Sequence, residues 1–222
     1  MPIAGKGMLL TSMDIDPEHE ADFNRWYDRE HLEERVGIEG FIEARRYVAE
    51  EGAPKYLCLY STRTIDVLDS TAYKARLANP TEWSKATMAR FKNMIRSVAR
   101  ITISRGKGRG AMLGLIRLRP QGGHEGELRN ALREAFEPAS LDGVISMHLI
   151  ESDPALSGPT TEIPAARGAG SADWFALIDA TNMNAVSGAL TNLTSDGRVK
   201  PTLISSGIYR LSWDISKGEI LA

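Results

Sequence analysis

Residues 41–63 read FIEARRYVAEEGAPKYLCLYSTR, and the fold is decided here. Two strand-like runs, 41–49 and 55–63, flank Glu51-Gly52-Ala53-Pro54, a cluster of turn residues, so the stretch is expected to form an antiparallel hairpin. Upstream, 8–15 reads as a strand. Asp16-Pro17-Glu18 then supplies an N-cap, a proline at the first helical position and an acidic first turn, which predicts a helix over about 18–36. Phe23, Trp26, Tyr27, Glu30, His31 and Glu34 recur at spacings of three and four, one face of that helix, and Gly37 suits its end. Downstream, 66–97 carries helical periodicity, with Trp83, Thr87, Phe91 and Ile95 on one stripe, before 98–104 alternates as a strand. The order is β-α-β-β-α-β.

The order then repeats. After the glycine-rich linker at 105–110 come a strand at 112–119, a helix at 124–137, strands at 144–151 and 173–180, a helix at 182–196 and a strand at 208–215. Met8 matches Met112 and Gly40 matches Gly143 at nearly the same spacing, whereas Arg100 to Arg210 is longer, so the differences lie in the middle of the second half. Residues 153–172, rich in Pro, Gly, Ala and Thr, are expected to be a flexible loop there. A β-α-β-β-α-β unit leaves one face of its sheet bare. The expected fold is therefore α+β: two tandem ferredoxin-like repeats, 1–106 and 110–222, whose antiparallel sheets pack into a barrel within one chain. Two loosely tethered domains are the alternative.

The 222 residues are 42% hydrophobic and 25% charged, the composition of an ordinary globular protein. With 27 Lys plus Arg against 29 Asp plus Glu, the net charge of -2 gives no field for nucleic acid or an anionic membrane. Without a long apolar run, and with Cys58 as the single cysteine, the expectation is a cytoplasmic protein with no membrane span, disulfide or cysteine metal site. The four histidines are scattered, so no metal site is expected. Exposed sheet edges would allow a homodimer.

The densest chemical signal is residues 24–35, NRWYDREHLEER, followed by Gly40-Phe41 and Arg45-Arg46-Tyr47. This pattern resembles the dimeric α/β-barrel superfamily and, within it, the EthD-like group. The resemblance covers the first half through its motifs and the second only as fold pattern. It implies a small-molecule protein, in a superfamily that includes monooxygenases, cyclases, isomerases, decarboxylases and haem proteins. It also implies a helix-borne histidine facing a pocket between sheet and helices, a role that falls on His31.

The residues support that role independently, because His31 lies four after Tyr27 on a helix and a histidine beside a phenol can move protons near neutral pH. The bland alternative makes Trp26 and Tyr27 core and leaves Glu30 and His31 capping the helix. Glu30, four after Trp26, could orient a substrate hydroxyl or hold an arginine. Strand alternation puts Arg46 on the helix-facing side of its sheet, where it needs an anion: Glu30, Glu34 or an anionic ligand. Arg45 falls on the opposite face with His148, Arg100 and Arg210, towards the space between the sheets. Trp83, Met88 and Phe91 could wall a pocket or simply be core.

The expected function is cofactor-independent proton-transfer chemistry of lyase, isomerase, cyclase or monooxygenase type on an aromatic or polyketide-like compound. His31 and Tyr27 would be catalytic, with Trp26, Glu30, Arg46, Trp83 and Phe91 binding the substrate. A non-catalytic small-molecule binding protein and a histidine-ligated haem protein remain as alternatives.

Overall fold

Among the described residues, 3–158 and 168–220, eight antiparallel strands close into a single barrel in the computed structural model. The first half runs β1 (Gly7–Asp14), α1 (Pro17–Trp26), α2 (Leu32–Gly37), β2 (Phe41–Glu51), β3 (Tyr56–Thr62), α3 (Thr71–Ala78), α4 (Glu82–Met88) and β4 (Lys92–Gly106). The second runs β5 (Met112–Leu118), α5 (Glu125–Ala135), β6 (Val144–Ser152), β7 (Trp174–Ala180), α6 (Met183–Ser195) and β8 (Leu203–Ser216), with a last turn α7 (Lys217–Ile220). Around the barrel the strands follow β1-β3-β2-β8-β5-β7-β6-β4. The fold is α+β, with the β-α-β-β-α-β order present twice.

Closure depends on the two longest strands. The first part of β4 pairs with β1 from Lys92 to Arg100, and its last part pairs with β6 from Ala99 to Gly106. Likewise β8 pairs with β5 from Leu203 to Arg210 and with β2 from Ile208 to Ser216. The two sheets are thus hydrogen-bonded edge to edge as well as facing one another. The edges through which two copies might pair are used within the chain.

Three apolar cores result. One lies between α1–α4 and the first sheet, one between α5, α6 and the second sheet, and one fills the barrel with Met8, Leu10, Leu57, Leu59, Leu113, Leu115, Phe175 and Leu177. Gly40 and Gly143, matched in the sequence, both precede the second strand of their half with positive φ (87° and 79°). At each, a Cβ would meet side chains of the following helical region, Val67 at 2.5 Å and Ala185 at 2.9 Å, so glycine answers both backbone and packing.

The largest departure from the sequence reading is at 66–97. Helix ends at Met88 and β4 begins at Lys92, so Ile95 belongs to a strand. The four-residue stripe that included Phe91 and Ile95 masks a period of two, in which Met94, Arg96 and Val98 are buried along one face of β4. The expected loop at 153–172 is tied to β4 at both ends: Ser157 Oγ donates to Val98 O (3.1 Å), and Arg96 N donates to Ala169 O (3.0 Å). Residues 159–167 lie outside the described residues. No helix among the described residues is long and apolar enough to cross a membrane.

Arg45 and His148 do enter the barrel, while Arg100 and Arg210 point outward to Asp153 and Glu50. Inside, Arg45 pairs with Glu43 (2.7 Å) and Asp179 (3.7 Å), and His148 bonds Ser104 (2.9 Å) and Ser146 (3.0 Å). Burial pushes the Asp179 carboxyl up to about 6 against the opposing pull of Arg45. Burial, reinforced by Arg45, pushes His148 down to about 4. The two groups act oppositely on stability. Between pH 3.8 and about 6 the folded state holds a proton on Asp179 that the unfolded chain has released, so this group weakens the fold as pH rises. Between about 4 and 6.5 the unfolded chain holds a proton that folded His148 refuses, so the histidine strengthens the fold as pH rises. Asp179→Asn removes the first effect alone. Denaturant titrations from pH 4 to 6.5 should therefore show the variant gaining stability relative to the parent by up to about 3 kcal/mol; parallel profiles would mean that Asp179 ionises normally.

Candidate active site

The helix that begins at Pro17 is not uniformly α. Tyr27–His31 forms a π-helical turn between α1 and α2. Such a turn accommodates an extra residue and shifts the side chains after it, and it occurs preferentially at functional sites. Here it stacks the His31 imidazole on the Trp26 indole five residues earlier, with ring centroids 4.0 Å apart and an interplanar angle of 30°. Tyr27 meets His31 edge-on at 5.1 Å, and its hydroxyl is aimed at Met13 Sδ, 3.8 Å away. Tyr60 of β3 closes the third side at 6.2 Å. A regular helix would make Tyr27 the principal partner of His31; the π turn gives that place to Trp26.

His31 and Tyr27 line a cavity between the first sheet and its helices. Leu9, Thr11 and Met13 form its floor on β1, with Tyr60 beside them. Arg35 on α2, Tyr73 and Leu77 on α3, and Met88 on α4 form the helical wall. Phe91, just before β4, and Met94 and Arg96 on the first part of that strand complete the lining. The enclosed space is about 20 Å³, room for one water molecule. Three lining residues carry buried polar atoms without a hydrogen-bond partner: Thr11 Oγ1, His31 Nδ1 and the Tyr60 hydroxyl. Such atoms cost stability unless something polar meets them.

Arg96 brings positive charge to this space. It is only 3% exposed; its guanidinium donates to the carbonyls of Leu156 (2.9 Å) and Gly158 (3.2 Å) and approaches the Tyr73 hydroxyl at 3.5 Å. Among the described residues its hydrogen-bond partners are carbonyls and a phenol, none of them a carboxylate. Burial, then Arg35, Arg76 and Arg46, hold the His31 imidazolium well below its ordinary range, so the ring is neutral at pH 7. Burial drives the Tyr27 and Tyr60 phenols well up, and the Cys58 thiol up, so all three keep their protons. The cavity thus presents a proton acceptor, hydroxyl donors and a fixed cation.

The other expected site residues lie outside the lining. Glu30 accepts from Thr81 Oγ1 (2.6 Å), Ser84 Oγ (3.0 Å) and Trp26 Nε1 (3.2 Å), fastening the start of α4 to the first helix. Trp26 backs His31 from the side away from the cavity. Arg46 lies beneath Tyr27, 4.4 Å from the ring centroid, and bonds Asn24 (2.5 Å) and Asp28 (3.4 Å) instead of Glu30 or Glu34. Glu34 pairs with Arg76. Trp83 is half-buried against the first core and faces α1, with its indole N–H 3.4 Å from Asp22 and the Arg25 guanidinium over its ring. Of the residues expected to wall the pocket, Met88 and Phe91 reach the cavity beside His31 and Tyr27, and Trp83 does not. The sequence reading missed Thr11, Arg35, Tyr60, Tyr73 and Arg96; Arg96 was hidden by the helical reading of 66–97.

Among the described residues no group of three or more His, Cys, Asp or Glu could hold a metal ion. A haem held by His31 does not fit, because the space at the imidazole admits one water and is walled by Tyr27, Tyr60, Tyr73 and Met88.

No protein-family model and no curated protein sequence matches the chain. Solved structures do resemble it. An anthrone oxidase-like protein superposes with a TM-score of 0.70 at 14% identity, covering 99% of this chain and 96% of its own. A protein described as a monooxygenase, from Fusobacterium nucleatum, gives 0.57 at 8% identity over 96% and 95%. A chlorite dismutase variant from Candidatus Nitrospira defluvii, in complex with cyanide, gives 0.57 at 10% over 98% and 94%. At these identities the likeness establishes the fold alone: an α+β chain with ferredoxin-like element order, closed into an eight-stranded antiparallel barrel.

Glu30→Ala would leave the Thr81 and Ser84 hydroxyls without their shared acceptor, while Trp26 Nε1 keeps Ser84 Oγ at 3.1 Å. Urea unfolding should register a loss of about 2 kcal/mol, and an unchanged midpoint would remove Glu30 from the attachment of α4.

Proposed function

We propose that the chain is a small-molecule enzyme that removes a proton from an aromatic, polyketide-like substrate, with neutral His31 as the base. The observation that carries this reading is the meeting, in one cavity, of an unpartnered neutral imidazole, two unpartnered hydroxyls and a buried guanidinium. Proton abstraction converts His31 to imidazolium and the substrate to an anion. Arg96 stands where that charge can be held, and Thr11 and Tyr60 can donate hydrogen bonds to its oxygen.

Two of the similar structures, the anthrone oxidase-like protein and the one described as a monooxygenase, carry names that support small-molecule chemistry of this kind. An anthrone-type C–H, acidified by the neighbouring ring ketone, is the kind of proton a neutral imidazole accepts. The resulting carbanion or enolate is a common entry to isomerisation, cyclisation or oxygenation, none of which requires the protein to supply a cofactor for the first step. Tyr27 serves as a wall that holds the imidazole edge-on, backed by Arg46. The matched element order and the paired glycines at 40 and 143 support a fused pair of EthD-like repeats, 1–106 bearing the site and 110–222 completing the barrel. A cytoplasmic location suits this chemistry.

His31→Gln should keep the unfolding midpoint near that of the parent and lower turnover of an anthrone or hydroxynaphthoquinone substrate about 100-fold. Because the imidazole is held neutral, the acid limb of the parent's rate profile should lie well below pH 6.5. A limb at or above pH 6.5, or full turnover by His31→Gln, contradicts the assignment. A parent protein that binds such compounds and returns them unchanged would be a carrier.

A further inference from the structure

We propose that the substrate enters through the mouth of the barrel, that Phe91 and Met94 are the gate, and that the body of the substrate stays in the groove outside it while its reacting edge reaches His31. This rests on the catalytic reading above and adds the route and the shape of the substrate: a flat aromatic compound with its acidic group at one end.

A cavity of about 20 Å³ cannot enclose a ring system, so any aromatic substrate must lie partly elsewhere. A groove of about 660 Å³ opens at the adjoining end of the barrel, lined among others by Pro54, Asn93, Ile95, Arg117 and Ile204. Phe91 and Met94 line both the groove and the cavity, and no other described residue does. They are nearly buried, at 9% and 5% exposure, so two side chains separate a neutral histidine from an open apolar surface. Ile204, on the groove wall, is 41% exposed, one of three exposed large hydrophobic side chains among the described residues.

The backbone between the gate residues is unusual. Asn93 has φ 50°, the one non-glycine residue with positive φ among the described residues. Its side chain donates to Asp14 Oδ2 at 2.8 Å, and the β1–β4 register shifts between Ser12 and Asp14. A left-handed residue pinned at the end of a strand, where a bulge interrupts the ladder, is a place where a short turn can change conformation without unzipping the sheet. Arg96, two residues beyond Met94 on the same face of β4, awaits an anionic end that has passed the gate.

The probe is 1-hydroxy-2-naphthoate, a two-ring aromatic with its phenol and carboxylate at one edge, followed by its own fluorescence on mixing with the full chain. Phe91→Leu and Asn93→Gly should raise the association rate about 10-fold, and Met94→Trp should lower it by a similar factor. Ile204→Glu, at an exposed position that does not threaten folding, should weaken binding about 10-fold. A faster association in Leu77→Ala, on the helical wall, with no change in the Phe91, Asn93 and Met94 variants would place the entrance at α3 and overturn the proposal. Failure of the parent to bind at about 1 mM would do the same. These readouts need no turnover. If the gate variants respond as expected and His31→Gln retains full activity, the groove stands and the base is wrong; if His31→Gln is inactive and the gate variants are silent, the base stands and the route is wrong.

Discussion

Closure of the sheet by β4 and β8 is the constraint on which everything else in the molecule rests. Each of these strands runs past the end of one half and pairs with the other, through β4–β6 and β2–β8. Every strand then has two neighbours, and backbone donors and acceptors along the sheet are met inside the chain. Closure also seals the interior. Leucines and aromatic rings fill most of it, and Arg45, Asp179 and His148 must answer one another at one end because water does not. With the interior filled, the helix-covered faces are where a reactive cavity can form.

The two halves use those faces differently. Along the first helix of the second half the buried positions are Leu128, Ala131 and Leu132, a plain apolar stripe packed on the sheet. The corresponding face in the first half carries Trp26, Tyr27, His31 and Arg35, and a π turn that rotates the imidazole onto the indole. Burial then sets the protonation states. The same desolvation that keeps His31 neutral keeps the Tyr27 and Tyr60 phenols protonated, so the cavity receives an acceptor and donors at once. Long β4 links closure to chemistry, since its middle completes the barrel and its beginning supplies Met94 and Arg96 to the cavity.

Much of this was legible in the sequence because period and turn residues speak directly. The hairpin around Gly52, the helix that opens at Asp16-Pro17, the repeated strand order and the inward placing of Arg45 and His148 followed from turn residues, alternation and spacing, although the Asp16 side chain binds Lys92 and makes no capping hydrogen bond. The π turn did not, because Trp26 to His31 is a five-residue spacing that no regular-helix argument selects. Arg46 was rightly assigned to the helix-facing side, but its partners are Asn24 of α1 and Asp28 of the π turn, not Glu30 or Glu34. Arg96 was lost for another reason: Phe91 and Ile95 mimic a helical stripe, whereas the helix ends at Met88 and a strand begins at Lys92, with left-handed Asn93 just inside it. Thr11 and Tyr60 lie on strands that read as ordinary core, and only the folded arrangement leaves their hydroxyls unpartnered.

The central claim is that His31 sits neutral and available in a cavity between sheet and helices. With four histidines in the chain, the imidazole ¹⁵N signals can be assigned by single replacements and followed across pH. The structure requires the His31 ring to remain in its neutral form as the pH is lowered through 6.5. A His31 signal already that of an imidazolium at neutral pH would contradict the account.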